Sequence, residues 1–457
     1  MNEMANKKTD KNVTKTFRYA DLFSGIGGFA AVFQALKGEH VYAVDIDPMA
    51  STIYLNNWQH PSLGDITLDA NESVMRVKGH DILAGGFPCQ PFSKSGAQKG
   101  MEETRGTLYF NILNIIDAHK PTIILLENVR NLAGPRHTHE MEVIISTLRE
   151  RDYRVSEKPA IFSPHLLPKS MGGRPQVRER VFITATYNPK NIGSNKEIHP
   201  VVSPKPIDGW DPQKWNIKRD LPLDSGSVPV SCKLSKSEVL WIDAWDEWVR
   251  LYKRLSGKNP PGFPVWADEW VVLNKLEIPE GTPKWKANFL KKNAEIYTLF
   301  KKEFDIWAKK WGVFSDAFPP SRRKLEWQAQ DTASLWDCVM HFRPSGIRAK
   351  KPNYLPALVA ITQTSIIGPL RRKLSPREAA RLQGFPDGFS FEGQSDAATY
   401  KQLGNGVNIG VVWHVLKMHV ERDKDILSRS SVGRRILKVV LSAPETPDEI
   451  LASMFSN

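Results

Sequence analysis

The most reactive chemistry in this chain belongs to Phe87-Pro88-Cys89-Gln90, which follows the apolar run Ile82-Leu83-Ala84 and the pair Gly85-Gly86. This pattern predicts a buried strand that ends in a tight turn, where open α/β sheets place their functional groups. A thiolate there is a strong nucleophile. A lone cysteine is also often a small buried hydrophobe, so its interpretation depends on the residues at the other strand ends.

Charged residues stand beside two further predicted strands. Glu127 follows the run Ile123-Ile124-Leu125-Leu126, and a poorly solvated carboxyl has a raised pKa that suits a proton donor. The alternative for Glu127 is a cap on the next helix. Arg178 and Arg180 precede another strand. Alternate residues of an extended segment point the same way, so one of them could hold a substrate anion or carbonyl.

A Gly-rich turn and two acids predict an adenosine-containing cofactor. Ser24-Gly25-Ile26-Gly27-Gly28 joins the first predicted strand to a helix, although its spacing is not G-x-G-x-x-G. Asp45 ends the second predicted strand, where an acid commonly holds ribose hydroxyls. Asp65 could accept a hydrogen bond from an adenine amino group. Taken singly, each acid is better explained as a helix cap or turn residue.

The pattern of apolar runs predicts an α/β protein with a mostly parallel, Rossmann-like sheet and a smaller inserted domain. Twelve of the fourteen tryptophans lie between Trp210 and Trp336. Trp241, Trp245 and Trp248 among them follow helical spacing, which favours a core over a base-stacking surface. The expected divisions are listed in chain order: a disordered extension (1–16), a catalytic and cofactor-binding domain (17–190), the insert (191–351), a return to the catalytic domain (352–422) and a tail (423–457).

Composition narrows the class of protein. The 457 residues are 41% hydrophobic and 25% charged, with a net charge of +13 that favours a polyanionic partner. The cysteines Cys89, Cys232 and Cys338 are odd in number and widely spaced, which argues against a disulfide framework or a metal site and fits a reducing cytosol. No apolar run approaches the roughly 20 residues of a membrane span.

With these elements in order, the chain resembles the DNA cytosine-C5 methyltransferases. The resemblance covers roughly residues 17 to 188 and 352 to 420, and the insert between them resembles the family's target-recognition domain. The matching segments are Asp21-Leu22-Phe23-Ser24-Gly25-Ile26-Gly27-Gly28-Phe29, Gly86-Phe87-Pro88-Cys89-Gln90-Pro91-Phe92-Ser93, Glu127-Asn128-Val129, Gln176-Val177-Arg178-Glu179-Arg180, Leu374-Ser375-Pro376-Arg377-Glu378-Ala379-Ala380-Arg381-Leu382-Gln383-Gly384-Phe385-Pro386 and Gln402-Leu403-Gly404-Asn405.

The resemblance implies a mechanism and its residues. Cys89 would attack C6 of a flipped-out cytosine, Glu127 would hydrogen-bond N3 and the exocyclic amine, Arg178 would contact the base carbonyl and Arg180 would support the loop. S-adenosyl-L-methionine would be the methyl donor. The residues implied to surround this cofactor are Phe23, Ser24, Gly25, Gly27, Gly28, Asp45, Ile46, Asp65, Pro88, Asn405 and Val407.

Contacts with double-stranded DNA are expected from two regions. Gln90, Ser93 and Ser95 belong to the loop of the nucleophile, and Arg343 and Arg348 suit phosphates or guanine edges in the insert. A basic hairpin turn is an equally good interpretation of the two insert arginines.

Two departures from the family's pattern lie beside the expected site. Gly406 replaces the usual Ser or Ala, and Arg174 stands where the family more often has Ile. Neither departure changes the nucleophile, Cys89, or the acid, Glu127.

The expected function is a bacterial, cytoplasmic, monomeric methyltransferase that protects a DNA sequence from a restriction endonuclease, paired with it in function without a stable complex. A tRNA cytosine methyltransferase is the first alternative, although its relatives have a smaller insert. A DNA-binding regulator without catalysis is the second. The spacing of residues does not give the recognised DNA sequence.

Overall fold

The computed structural model describes residues 16–88, 107–189, 198–226, 228–358 and 364–456. Residues 1–15 of the predicted N-terminal extension lie outside the described residues. The same holds for four predicted site residues, Cys89, Gln90, Ser93 and Ser95.

The described chain divides into two compact units. The first runs to Trp215 and resumes at Pro356–Ala360 and from Ala379, and the second comprises Asn216–Leu355 and Ile361–Glu378. These bounds differ from the predicted insert of 191–351. Residues before 216 stay with the first unit because the indole Nε1 groups of Trp210 and Trp215 both donate to the His165 carbonyl, at 3.0 and 2.9 Å.

The centre of the first unit is a seven-stranded sheet. Six of its strands follow the order β2-β1-β3-β4-β8-β5, and the seventh, β6, pairs with β8. The strands up to residue 187 are β1 (Arg18–Leu22), β2 (Glu39–Val44), β3 (Ile82–Gly86), β4 (Ile123–Val129), β5 (Tyr153–Val155), β6 (Ala160–Phe162), β7 (Gln176–Val177) and β8 (Arg180–Tyr187). The pairs β1–β2, β1–β3 and β3–β4 are parallel. The predicted mostly parallel α/β sheet is therefore confirmed.

The antiparallel strand β8 lies between β4 and β5 in this sheet. It pairs with β4 so that Arg180 lies opposite Val129 and Phe182 lies opposite Glu127. Because β8 runs against β4, its first residue reaches the edge at which the parallel strands end. Glu127 itself lies inside β4 and does not cap the following helix, which corrects the expectation that it comes after the strand.

Helices cover the sheet and bury its apolar side chains. The core joins the sheet residues Leu83, Ile124 and Leu126 to Ile112 and Ile144 on two of these helices, all of them fully buried. Up to residue 149 the helices are α1 (Gly28–Ala35), α2 (Pro48–Trp58), α3 (Ile66–Asp69), α4 (Leu108–His119) and α5 (Thr138–Arg149).

The second unit combines two long helices with its own sheet, ordered β15-β14-β11-β12-β10-β9. Its tryptophans Trp245, Trp248 and Trp307 are fully buried in one core, which confirms that the Trp-rich stripes are packing residues. Between residues 216 and 373 the elements are α6 (Ile217–Asp220), α7 (Lys236–Ser256), β9 (Val265–Trp266), α8 (Lys284–Trp311), β10 (Lys324–Gln328), β11 (Val339–Arg343), β12 (Gly346–Lys350), β13 (Leu355–Pro356), β14 (Ile366–Ile367) and β15 (Arg372–Lys373).

The remaining chain is helical. The helices are α9 (Pro376–Gln383), α10 (Asp396–Asn405), α11 (Ile409–Arg422), α12 (Lys424–Leu427), α13 (Ser431–Leu441) and α14 (Asp448–Met454). The described part of the 423–457 tail, which the sequence pattern left unassigned, contains the last three of these helices. No helix among the described residues has the length and apolar character that crossing a membrane requires.

Candidate active site

A cleft of about 450 Å³ opens where the parallel strands of the first unit end. Its walls come from the residues that follow β1 and β2, the last residues of β3 and β4, and Arg180 at the start of β8. Residues 404–407, far away in sequence, close another side. The cleft therefore collects the groups that the sequence placed at separate strand ends, which is where open α/β sheets bind ligands.

Glu127 and Arg180 form an ion pair in this cleft. Glu127 is 6% exposed, and its Oε1 lies 2.9 Å from Arg180 Nε. Burial raises the pKa of the Glu127 carboxyl above its ordinary value of 4.5, while the charges of Arg180 and Arg178 act in the opposite direction. A Cβ added to Gly86 would lie 3.4 Å from Glu127 Oε2. The carboxyl is thus held by Arg180 on one oxygen and has Gly86 beside the other.

Arg178 has a different environment from Arg180. It is 1% exposed, and its guanidinium donates to the carbonyls of Gly404 at 2.9 Å, Gly406 at 2.5 Å and Leu358 at 3.2 Å. Burial lowers the pKa of this guanidinium, and the nearby Arg180 lowers it further. In the structure the Arg178 side chain is bonded to the 404–406 backbone and Arg180 lines the cleft, whereas the resemblance implied that Arg178 contacts the base and Arg180 supports the loop.

Replacing Arg178 by Met is expected to destabilise the protein by at least about 2 kcal/mol. Two buried carbonyls and one partly buried carbonyl would lose their donor, and each unsatisfied buried group costs about 1–3 kcal/mol. Arg180→Met should change the stability less, because Glu127 can then take up a proton. Urea denaturation of both variants measures the difference. An Arg178→Met protein with wild-type stability would show that these carbonyls do not depend on Arg178.

The described chain before Cys89 ends at a wall of the cleft that Glu127 also lines. Phe87 and Pro88 line the cleft, and the buried Asn128 fixes the start of the loop by donating from Nδ2 to the Phe87 carbonyl at 2.8 Å. Cys89 lies outside the described residues, although Pro88, its neighbour in the chain, is at the cleft wall.

The Gly-rich turn and Asp45 form the other end of the cleft. The Asp45 carboxylate accepts from the backbone N–H groups of Gly25 at 2.7 Å and Asp47 at 2.9 Å. Burial raises the pKa of Asp45, and the two hydrogen bonds oppose this. Phe23 and Ser24 also line the cleft, and Phe23 has a φ of 53°, a left-handed conformation that is costly for a non-glycine residue.

Val407, in the C-terminal wall of the cleft, packs against the Gly-rich turn. A Cβ at Gly28 would lie 2.5 Å from Val407 Cγ2, so this close packing requires glycine. Asn405 and Gly406 line the same wall, as predicted for Asn405 and Val407. A Cβ at Gly406 would lie 3.3 Å from the Gln402 carbonyl, so the glycine relieves a tight contact.

The structure leaves three predicted cofactor residues outside the lining of the described cleft. Ile46 is 74% exposed. Asp65 caps α3, where its Oδ1 accepts from the Thr67 N–H at 2.9 Å, as its alternative interpretation predicted. Gly27 is covered by Trp58: its φ is +92°, and a Cβ there would lie 2.0 Å from Trp58 Nε1.

The two insert arginines flank a hairpin between β11 and β12. Arg348 Nε donates to Glu326 Oε2 at 2.6 Å and is held within its own sheet. The guanidinium of Arg343 has no hydrogen-bond or ion-pair partner among the described residues. A Cβ at Gly346 would lie 2.9 Å from the Lys324 carbonyl, so this glycine permits the approach of a neighbouring strand.

Several lining residues were not predicted as site residues. The motifs Glu127-Asn128-Val129 and Gln402-Leu403-Gly404-Asn405 contained four of them, and their position beside predicted residues was the available signal. The unpredicted lining residues are Phe29, Asp47, Ala50, Gly86, Phe87, Asn128, Val129, Gln402, Gly404 and Gly406.

Comparison with known proteins supports the same family. A family model described as C-5 cytosine-specific DNA methylase matches residues 17–421. The chain is 46% identical to the type II methyltransferase M.AluI of Cellulosimicrobium cellulans, over 96% of this chain and 98% of that protein. It is 30% identical to the type II methyltransferase M.HhaI of Haemophilus parahaemolyticus, over 89% of this chain and 94% of that protein.

The matched region includes all strands that line the cleft, the Glu127–Arg180 pair and the 404–407 wall. The chain therefore belongs to the C-5 cytosine-specific DNA methylase family and is a DNA (cytosine-5-)-methyltransferase.

Proposed function

We propose that this enzyme methylates C5 of a flipped-out cytosine within a specific DNA sequence, through a covalent bond between Cys89 and C6, with S-adenosyl-L-methionine as the methyl donor. The observation that carries the proposal is a single cleft with two ends. One end holds the Glu127–Arg180 pair beside Phe87 and Pro88, and the other holds the Gly-rich turn and Asp45.

The residues at the second end fit an adenosine-containing cofactor. The Ser24 hydroxyl is buried without a hydrogen-bond partner among the described residues, and Gly25 has nothing within 4 Å of where a Cβ would be. Each oxygen of Asp45 accepts one backbone hydrogen bond and keeps capacity for ribose hydroxyls. When bound there, the cofactor supplies an electrophilic methyl group. Phe23, Asn405 and Val407 would enclose it.

At the first end the side chains act on the cytosine. The Cys89 thiolate adds to C6, and Glu127 donates its proton to N3 as electrons move into the ring. Arg180, which lines the cleft, contacts the base carbonyl, and Arg178 holds the backbone around it. C5 thereby becomes enamine-like and takes the methyl group. Loss of the C5 proton to solvent and β-elimination then break the S–C6 bond and release the Cys89 thiolate, while N3 returns its proton to Glu127.

The base must leave the duplex for this chemistry, because neither C5 nor C6 is reachable in a stacked helix. Unstacking costs a few kcal/mol. We assign Gln90, Ser93 and Ser95 to contacts that offset this cost, and Arg343 to a DNA contact in the second unit. Arg348, bonded to Glu326, holds the hairpin in shape. The net charge of +13 favours association with DNA.

The cellular role proposed is protection of DNA from a restriction endonuclease, by a bacterial cytoplasmic monomer that does not form a stable complex with that enzyme. Both relatives described above are named type II methyltransferases, which supports this role.

Bisulfite sequencing of plasmid DNA from cells that express the protein tests the proposal. The expected result is methylation of one cytosine within a recurring sequence. Purified protein that folds and binds S-adenosyl-L-methionine yet leaves every cytosine unmodified would overturn it. Transfer of a labelled methyl group to tRNA and not to duplex DNA would select the RNA alternative.

A further inference from the structure

The helices that follow the family match have no part in the proposed chemistry. The match ends at residue 421, yet α14 is firmly attached to the first unit. Asp448 Oδ1 accepts from Arg174 Nη2 at 2.7 Å, and Leu451 is buried. Arg174 is also the residue that departs from the family's usual Ile. This part of the chain is thus docked by a specific ion pair and an apolar contact.

Phe455, just after α14, completes an aromatic cluster with Trp58 and Phe389. Its ring centroid lies 5.2 Å from Trp58 in an edge-on arrangement and 5.6 Å from Phe389. Trp58 and Phe389 are 5.7 Å apart, so each ring contacts the other two. A Cβ at Gly388 would lie 2.1 Å from the Phe455 carbonyl, which shows how closely the chain is seated.

Trp58 connects this cluster to the Gly-rich turn. It is 3% exposed, and its indole Nε1 donates to the Ile26 carbonyl at 2.9 Å. The same nitrogen would be 2.0 Å from a Cβ at Gly27. The indole therefore lies directly against the backbone of residues 26 and 27, while Gly25 and Gly28 on either side line the cleft.

We infer that Phe455 is a positioning residue for the cofactor: through Trp58 it holds the Gly-rich turn in the shape that binds S-adenosyl-L-methionine. The inference rests on the proposed function. The segment that ends in Phe455 supports the Gly-rich turn and contacts neither substrate nor cofactor. Its loss should weaken cofactor binding more than it slows the reaction on cytosine.

Calorimetric titration of the purified full chain with S-adenosyl-L-methionine tests this inference. Phe455→Ala should raise the Kd by about tenfold, a size typical of mutations that act through packed neighbours. The KM for S-adenosyl-L-methionine on plasmid DNA should rise in parallel, with kcat at saturating cofactor within about twofold of wild type. Phe455→Tyr, which keeps the aromatic ring, should have a Kd and a KM close to those of the wild type. Met454→Ala is the matched control, because this neighbour is 41% exposed.

A second variant keeps the inference testable if Phe455→Ala does not fold. Trp58→Phe retains an aromatic ring and removes the hydrogen bond to the Ile26 carbonyl, so it should also raise the Kd with little change in kcat. Wild-type binding by folded Phe455→Ala, or an equal loss in Met454→Ala, would overturn the inference. A fall in kcat without a change in KM would also overturn it. A wild-type protein that binds no S-adenosyl-L-methionine would instead overturn the proposed function.

Discussion

Cys89→Ala should reduce methyl transfer to DNA by about 10⁴-fold or more, which is the scale of loss when a covalent nucleophile is removed. C5 of cytosine is too weak a nucleophile to displace a sulfonium methyl group unless a thiolate has first added to C6. In the proposed mechanism Glu127 and Arg180 cannot replace this step, because they polarise the ring without adding to it. A labelled-methyl assay on plasmid DNA measures the loss.

Covalent trapping separates loss of the nucleophile from loss of the fold. A duplex with 5-fluorocytosine at the target position should capture the wild-type protein in a denaturation-resistant complex, since fluorine at C5 blocks the final elimination. Cys89→Ala should form no such complex and should still bind S-adenosyl-L-methionine. Cys232→Ala replaces a buried thiol outside the cleft and serves as the control. A trapped complex in Cys89→Ala would assign the covalent bond to another residue.

The position of the cleft could be predicted from the sequence because open α/β sheets generally bind ligands where their parallel strands end. Parallel strands bring their carboxyl ends to the same edge of a sheet. Once the strands were identified, Phe23, Asp45, Pro88 and Glu127 could therefore be predicted to lie close together. The resemblance to the family added the 404–407 segment, whose return to the cleft no local pattern of apolar residues reveals.

The side-chain positions of the two arginines could not be predicted, and the reason is physical. The expectation that Arg178 and Arg180 point the same way assumed one extended strand, but β7 ends at Val177 and β8 begins at Arg180. The break turns Arg178 toward carbonyls at 358, 404 and 406, which are distant in sequence. The side-chain position of Asp65 is instead decided locally, because its carboxylate caps α3 and accepts from the Thr67 N–H.

In the Trp-rich insert, too, the sequence pattern predicted burial but not the contacts of individual side chains. Its helical spacing correctly indicated a core, because apolar periodicity reports burial directly. The partner of Arg348 is Glu326 on a strand that is not adjacent in sequence, so spacing alone left a DNA contact and a hairpin turn equally supported.

Glu127→Gln should lower kcat by about 10²–10⁴-fold, the usual contribution of a positioned proton donor. The amide has nearly the same shape and can hydrogen-bond the same edge of cytosine, but it has no proton to transfer as the thiolate adds. Binding of DNA and of S-adenosyl-L-methionine should therefore change little, and the loss should appear in kcat. Glu179→Gln is the matched control, because this carboxyl is exposed and does not line the cleft.

The pH dependence of the reaction gives the second readout of Glu127. Burial raises the pKa of this carboxyl above 4.5, so it keeps its proton to a higher pH than an exposed glutamate. Since the protonated form is the donor, kcat/KM for DNA should fall as the pH rises through this raised pKa. The Gln variant, which cannot ionise, should lack that fall while retaining any dependence that arises from the thiol. If Glu127→Gln kept both wild-type turnover and the wild-type pH profile, the buried carboxyl would be a structural partner of Arg180 and the proton would come from another group.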